Sequence, residues 1–204
     1  MKVYTKTGDS GETSLYDGCR IQKSAINFMV LGEIDELSSR IGLLCAMINN
    51  DSEMKDDSID NYSLLRKIQR ILQDFNTHIA TIDRVNRRLP ELSDDYVTEL
   101  ENAIDMIENK NTKLTNFILP GVTPIDAQSH LCRTQTRKVE RVLIELHNSK
   151  DILNVKTTRL GKQSYVDLEK FIIPEVMLKY INRLSDFFFV LARYLSRQQD
   201  IFYT

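Results

Sequence analysis

Residues 180–197 read YINRLSDFFFVLARYLSR, and this stretch decides the fold. Wound as a helix it is apolar on nearly every side, with Phe187, Phe188, Phe189, Val190 and Leu191 in one run. Asn182, Asp186, Arg193 and Arg197 form a narrow polar stripe along it, with steps of three to four residues or two turns. A helix this apolar must be mostly buried, and buried polar groups need partners. The stripe has two readings: a structural salt-bridge ladder, or Asn182 and Asp186 facing a ligand pocket.

Such a helix needs neighbours to cover it, and the rest of the chain supplies them. Four further helices are expected, at about 24–49, 58–85, 93–108 and 126–148, with the apolar one at about 174–197. The second carries Leu64, Leu65, Ile68, Ile71, Leu72, Phe75 and Ile79 at helical spacing. Ser93 and Asp94 are cap candidates for the third, and Pro174 suits the first turn of the fifth. FILPGVTP, with two prolines and a glycine, breaks the pattern before the fourth. Only 7 Gly and 4 Pro in 204 residues also favour long helices over a turn-rich β fold. With no linker-like stretch, residues 1–204 read as one all-α domain, a helical bundle. Residues 1–23 form an irregular N-terminal segment, and 150–172 a mixed, partly extended connection.

Composition removes several functions. A formal net charge of -2 gives no overall pull towards nucleic acid or anionic membrane. No apolar run approaches the ~18 residues of a membrane span, and no signal or transit peptide is recognisable. A cytoplasmic location is expected, or the mitochondrial matrix if a presequence has been removed. Cys19, Cys45 and Cys132 are odd in number and scattered, which argues against disulfides and fits a reducing compartment. His78, His130 and His147 lack metal-ligand spacing with them, so no protein-bound metal is expected.

Three stretches and one aromatic residue stand out as candidates for chemistry. HLCRTQTRKVERVLIEL, residues 130–146, places Leu131, Val139, Val142, Leu143 and Leu146 on one side of a helix. Arg133, Arg137, Glu140 and Arg141 fall on the other, either as a solvated face or as a fork-shaped site for phosphate. GEIDELSSRIG, residues 32–42, sets Asp35 among the small residues Ser38, Ser39, Gly42 and Ala46. Glu36 and Arg40 lie elsewhere on that helix and can pair. Asp35 is either an ordinary exposed acid or a carboxylate met by an arginine across a close helix contact. TKTGDSGETSL, residues 5–15, is either a frayed polar terminus or a phosphate cradle: it offers hydroxyls, glycines and a lysine, without the Gly-Lys-Ser/Thr of a Walker loop. Phe117, on its own, reads as core rather than as a ligand contact.

Together these blocks carry a resemblance. TKTGDSGETSL, GEIDELSSRIG, FILPGV, CRTQTRKVER and INRLSDFFF resemble, in order, five motifs of the PduO-type ATP:cob(I)alamin adenosyltransferases. The blocks cover about a quarter of the chain, and their order spans nearly all of it. The resemblance implies a five-helix bundle, ferritin-like in type, that forms a homotrimer with active sites between subunits. It implies transfer of the 5′-deoxyadenosyl group of ATP to cob(I)alamin, giving adenosylcobalamin and triphosphate, with Mg²⁺ brought by the nucleotide. A reductase that supplies cob(I)alamin from cob(II)alamin and a B12-dependent acceptor enzyme are the implied partners. No nucleic acid or membrane partner is implied.

By motif, Thr5, Lys6, Thr7, Gly8, Thr13 and Ser14 resemble the loop that wraps ATP, and Lys23 a further ATP contact. Arg137, Glu140, Arg141 and Asn182 resemble phosphate and nucleotide contacts. Arg133 resembles the arginine paired across the subunit boundary with Asp35, and Asp186 belongs to the same site. Phe117 resembles the phenylalanine on the lower face of the corrin. Three departures stand out: Val122 replaces a glycine of the FILPGG turn, Lys138 replaces an arginine, and the 150–172 connection is longer. A stiff valine disfavours positive φ at that turn. The alternative function is a non-catalytic trimeric chaperone or sensor that binds ATP or cobalamin.

Overall fold

A computed structural model of the chain describes residues 4, 6–51, 59–82, 88–149, 172–197 and 199–203, and the backbone of 156–159 and 162–165. Five helices carry the structure: α1 (Ile26–Asn50), α2 (Asn61–Ile79), α3 (Asp95–Glu108), α4 (Pro124–Asn148) and α5 (Glu175–Leu195). Expected and observed ends agree within about three residues, apart from the end of α2. Its backbone closes at Ala80, whose N–H bonds to Asn76 O at 2.8 Å. The expected continuation to residue 85 runs partly outside the described residues, as does the start at residue 58.

α4 lies between α1 and α5, α3 packs on α5, and α2 packs on α1. The apolar stretch of α5 behaves as its composition demands. Tyr180, Ile181, Leu184, Phe187, Phe188 and Leu191 are fully buried or nearly so. Phe187 and Phe188 meet edge to face at 5.3 Å, and Tyr180 meets Phe75 of α2 at 5.5 Å. From α1 the core receives Val30, Ile34, Leu37, Ile41 and Leu44, one side of a 3.6-residue period. Leu131 departs from its expected side: it is 46% exposed, while Cys132, Gln135 and Thr136 turn inward. The inward stripe of α4 is therefore polar near its start and aliphatic from Val139 onward.

Short antiparallel ribbons join the helices. β1 (Glu12–Ser14) pairs with β2 (Arg20–Gln22), with Thr13 opposite Ile21. β3 (Ile118–Leu119) pairs with β6 (Ile201–Phe202), which ties the chain's last described residues to the turn before α4. Within the long 150–172 connection, β4 (Lys156–Arg159) pairs with β5 (Lys162–Tyr165) and lies beside β2. The partly extended character expected there is realised as this hairpin. The remainder of that connection lies outside the described residues apart from Ile172. Cys19, Cys45 and Cys132 are all buried and unbonded to one another. Burial pushes the Cys132 thiol up to about 12, so it holds its proton.

Candidate functional site

The cationic face begins with how α4 starts. Thr123 caps the helix, Pro124 occupies its first turn, and Asp126 completes a capping box. The box fixes the direction in which the next three turns point. Its outward side carries Arg137 and Arg141, both exposed, and neither has an ion-pair partner among the described residues. Glu140 is half-buried and accepts from Asn182 Nδ2 of α5 at 2.8 Å. Asn182 in turn accepts from Arg183 Nη1 at 2.7 Å, and Arg183 Nε donates to Glu101 of α3 at 2.8 Å. One polar chain thus crosses α4, α5 and α3 and sets the Glu140 carboxylate beside the free guanidinium groups. Asp186, one turn beyond Asn182, is exposed.

Arg133 sits at the inner edge of this face. Its Nε donates to His130 Nδ1 at 3.3 Å, and the His130 ring packs edge-on against Phe189 at 6.2 Å. Burial, and then the Arg137 charge, draw the Arg133 pKa below the usual guanidinium value. Burial, and then the Arg133 charge, also hold the His130 imidazole below its ordinary value, against opposing pulls from Asp126 and Asp200. Metal-ligand spacing alone does not single out His130 in the sequence. Its position three residues before Arg133 on one helix was the available signal.

The N-terminal ribbon forms a second group. Buried Asp17 anchors it, with Oδ1 accepting from Cys19 N at 2.8 Å and Oδ2 from Ile82 N at 2.7 Å. Tyr16 N reaches Ala80 O at 2.9 Å, so the ribbon is tied to the end of α2. Arg20 Nη2 donates to Thr7 O at 2.9 Å, and Lys23 N to Gly11 O at 2.8 Å. A Cβ at Gly8 would lie 3.2 Å from Lys23 Nζ, so the flexible end of the lysine lies close against the loop. Lys6 takes a left-handed φ of 60°. Thr7, Gly8 and Lys23 are thus gathered, with Thr13 and Ser14 on the adjoining strand; Thr5 lies outside the described residues. Among the described residues, no hydrogen bond or ion pair joins this group to Arg137, Glu140, Arg141 or Asn182 within one chain.

Asp35 is exposed on α1, and no described residue of its own chain pairs with it. Its neighbours are committed: Arg40 binds Glu36 at 2.6 Å, and Glu33 takes Lys138 at 2.8 Å and Gln135 at 2.8 Å. Lys138 is therefore a strut between α4 and α1, away from the arginine face. Phe117 corrects the core reading: it is 85% exposed. Pairing of β3 with β6 and the bond from Tyr203 N to Phe117 O at 2.8 Å hold its backbone at the surface. Leu114, Thr115, Asn116, Phe117 and Tyr203 line an open hollow of about 360 Å³. At the turn that follows, Gly121 alone takes a positive φ, of 104°. The turn needs one left-handed residue, and Val122 is not it.

The α5 stripe divides along its length. Asn182 and Asp186 are open to solvent, as a ligand-facing pair requires. Arg193, on the same side, is roofed over and paired with Asp200 at 3.0 Å and Glu108 at 3.4 Å. The salt-bridge reading holds at Arg193, and Asn182 and Asp186 lie where a ligand could reach them.

Five helices with free arginines along one of them define the class, a helical bundle with a cationic face. The chain belongs to the cobalamin adenosyltransferase family, whose model matches residues 3–195. The corrinoid adenosyltransferase of Bacillus subtilis is 33% identical over 201 residues, 98% of this chain and 90% of that protein. The corrinoid adenosyltransferase PduO of Salmonella typhimurium is 32% identical over 194 residues, 95% of this chain but 49% of that longer protein. Among solved structures, a variant PduO-type ATP:corrinoid adenosyltransferase from Lactobacillus reuteri, complexed with cobalamin and ATP, superposes with a TM-score of 0.80. It is 28% identical, and the match covers 99% of this chain and 96% of that one.

Proposed function

We propose that this protein transfers the 5′-deoxyadenosyl group of ATP to cob(I)alamin in a homotrimer whose sites lie between subunits. The lone pair of Co(I) attacks the 5′ carbon of ATP, and a cobalt–carbon bond forms. The carbon–oxygen bond to phosphate breaks with its electrons on the leaving triphosphate. The nucleophile is the corrinoid substrate, so the protein needs no general base and no covalent intermediate. Its work is positioning and charge stabilisation.

The observation that carries this reading is the pair of exposed guanidinium groups of Arg137 and Arg141, without an ion-pair partner among the described residues, on the helix that also carries the Glu140–Asn182 bond. Always-charged forks there suit a triphosphate whose negative charge grows as it departs. Thr5, Lys6, Thr7, Gly8, Thr13, Ser14 and Lys23 wrap the nucleotide from a neighbouring subunit. Asp35 of one subunit meets Arg133 of the next, and Asp186 orders the arginines around it. Phe117 lies under the corrin and excludes a lower axial ligand, which eases reduction from Co(II). The described residues hold no cluster of three or more potential metal ligands, and Mg²⁺ arrives on the triphosphate oxygens. A reductase supplies the Co(I) state and a B12-dependent enzyme takes the product. The relatives named above are bacterial, which favours the cytoplasm.

The test is direct. Under strict reduction, cob(I)alamin and MgATP are mixed with the protein and cob(I)alamin absorbance is followed. Conversion to adenosylcobalamin with triphosphate released is expected. Binding without alkylation would return the protein to the chaperone or sensor alternative.

A further inference from the structure

α5 ends at Leu195, and the chain then turns back on itself. Arg197 takes a left-handed φ of 55°, uncommon for a residue with a side chain, and its N–H bonds to Tyr194 O at 3.1 Å. The reversal returns Asp200 to Arg193, seven residues earlier. Arg193 has a side chain only 1% exposed, and that of Asp200 is 5% exposed. The guanidinium reaches three segments at once. Nη2 and Nε donate to Asp200 Oδ2 at 3.0 and 3.2 Å, Nη2 to Thr112 O at 2.6 Å, and Nη1 to Glu108 Oε1 at 3.4 Å. Asn111 adds a bond from Nδ2 to Val190 O at 3.0 Å. Both approaches to the β3–β6 ribbon are therefore fixed to α5: the 109–116 connection that leads to Phe117, and the tail that leads to Tyr203.

We propose that Arg193 and Asp200 form a latch that positions Phe117, and with it Tyr203, on the corrin side of the site. They are positioning residues. Arg193 touches backbone and carboxylate and no surface open to a substrate, and it acts through the ribbon. The role of the latch in turnover rests on the adenosyltransferase reading; its role in holding the ribbon does not. A hydrophobic stem alone would leave Phe117, 85% exposed, free to swing. The buried ion pair gives its strand a fixed origin, at the usual desolvation cost of such pairs.

Asp200→Asn keeps the shape and removes the charge, and Asp200→Glu restores the charge. Three readouts are taken. In hydrogen exchange, the Tyr203 N–H, bonded to Phe117 O, should lose protection in Asp200→Asn while α4 and α5 core amides keep theirs. This readout is independent of turnover, so unchanged protection overturns the latch whatever the reaction is. In activity, reaction starting from cob(II)alamin with reductant should fall more than about tenfold, and reaction from pre-reduced cob(I)alamin less than about threefold, with KM for ATP unmoved. With ATP bound, the electron paramagnetic resonance signature of four-coordinate Co(II) should shrink in Asp200→Asn and recover in Asp200→Glu. Equal losses from both oxidation states, with a lowered Tm, would assign the pair to general stability and overturn the proposal. Failure of the wild-type protein to alkylate cob(I)alamin would instead overturn the functional reading, leaving the exchange result to judge the latch.

Discussion

His130 offers Nδ1 as an acceptor to Arg133 Nε at 3.3 Å, so it must be neutral in the native arrangement. Its folded pKa lies below the ordinary 6.5, so the unfolded chain takes up a proton first as pH falls. The stabilising contribution is complete above about 6.5 and is lost as pH drops towards the folded value. A protonated ring would also set a second cation against Arg133. We therefore expect Tm to fall more steeply below pH 6.5 in the wild type than in His130→Asn, read by thermal scans from pH 7.5 to 5. Parallel curves would remove His130 as the titrating group. Arg137 and Lys138 give a contrast between sequence neighbours. Arg137→Ala should lower kcat/KM for ATP by roughly a hundredfold or more, the scale of a lost charge-assisted phosphate contact, with Tm nearly unchanged. Lys138→Ala should leave ATP kinetics near wild type and cost up to about 1 kcal/mol of stability, because its partner is Glu33 on α1. A similar kinetic loss in both would show that net charge, rather than the position of Arg137, holds the triphosphate.

The turn between β3 and α4 shows how an element places a residue that it does not contain. Asp126 accepts from Gly121 N at 3.0 Å, Val122 N at 3.4 Å, Thr123 N, and Thr123 Oγ1 at 3.0 Å, and is 2% exposed. Asp126→Asn puts an amide among these donors and leaves at least one unsatisfied. The expected cost is about 1–3 kcal/mol, read as a lower Tm. A Tm within error of the wild type would mean that the cap is not what holds the turn. The sequence held this element in plain sight: Thr123-Pro124-Ile125-Asp126 is an N-cap, a first-turn proline and a capping acid, although the helix was expected only from Asp126. The five helices were legible because each is at least 14 residues long and carries a full apolar period. The β1–β2 and β3–β6 ribbons were not, because strands of two or three residues leave no period to count. The β3–β6 ribbon, invisible in the sequence pattern, is what keeps Phe117 out of the core. The two fates of the α5 stripe were hidden for the same reason, since angular position cannot say that the tail roofs Arg193 and leaves Asn182 open.

At the scale of the whole molecule, the candidate site is divided in a way that one chain does not close. Among the described residues, the loop group and the arginine face share no bond, and the exposed Asp35 has no partner in its own chain. Burial, and then the charge of Arg137, depress the Arg133 pKa, so like charges share this face without a described counter-ion. α1 also exposes Leu43 at 54% and Met29 at 50%, and α4 exposes Leu131 at 46%, apolar area on the two helices that carry Asp35 and Arg133. A second copy that brings Asp35 to Arg133 would cover that area and supply the charge together. On the proposed homotrimer, the wild type is expected to sediment as a trimer. Asp35→Asn keeps size and removes the charge, and should shift sedimentation velocity towards monomer at low micromolar protein. In the wild type, added salt should weaken assembly only modestly, because a pair buried at the contact is screened less than an exposed one. If each site is built from two subunits, as proposed, the same variant should lose adenosyl transfer in step with the trimer. An unchanged trimer with unchanged kinetics would remove Asp35 from the site, and a trimer kept intact with activity lost would place Asp35 in the chemistry rather than in assembly.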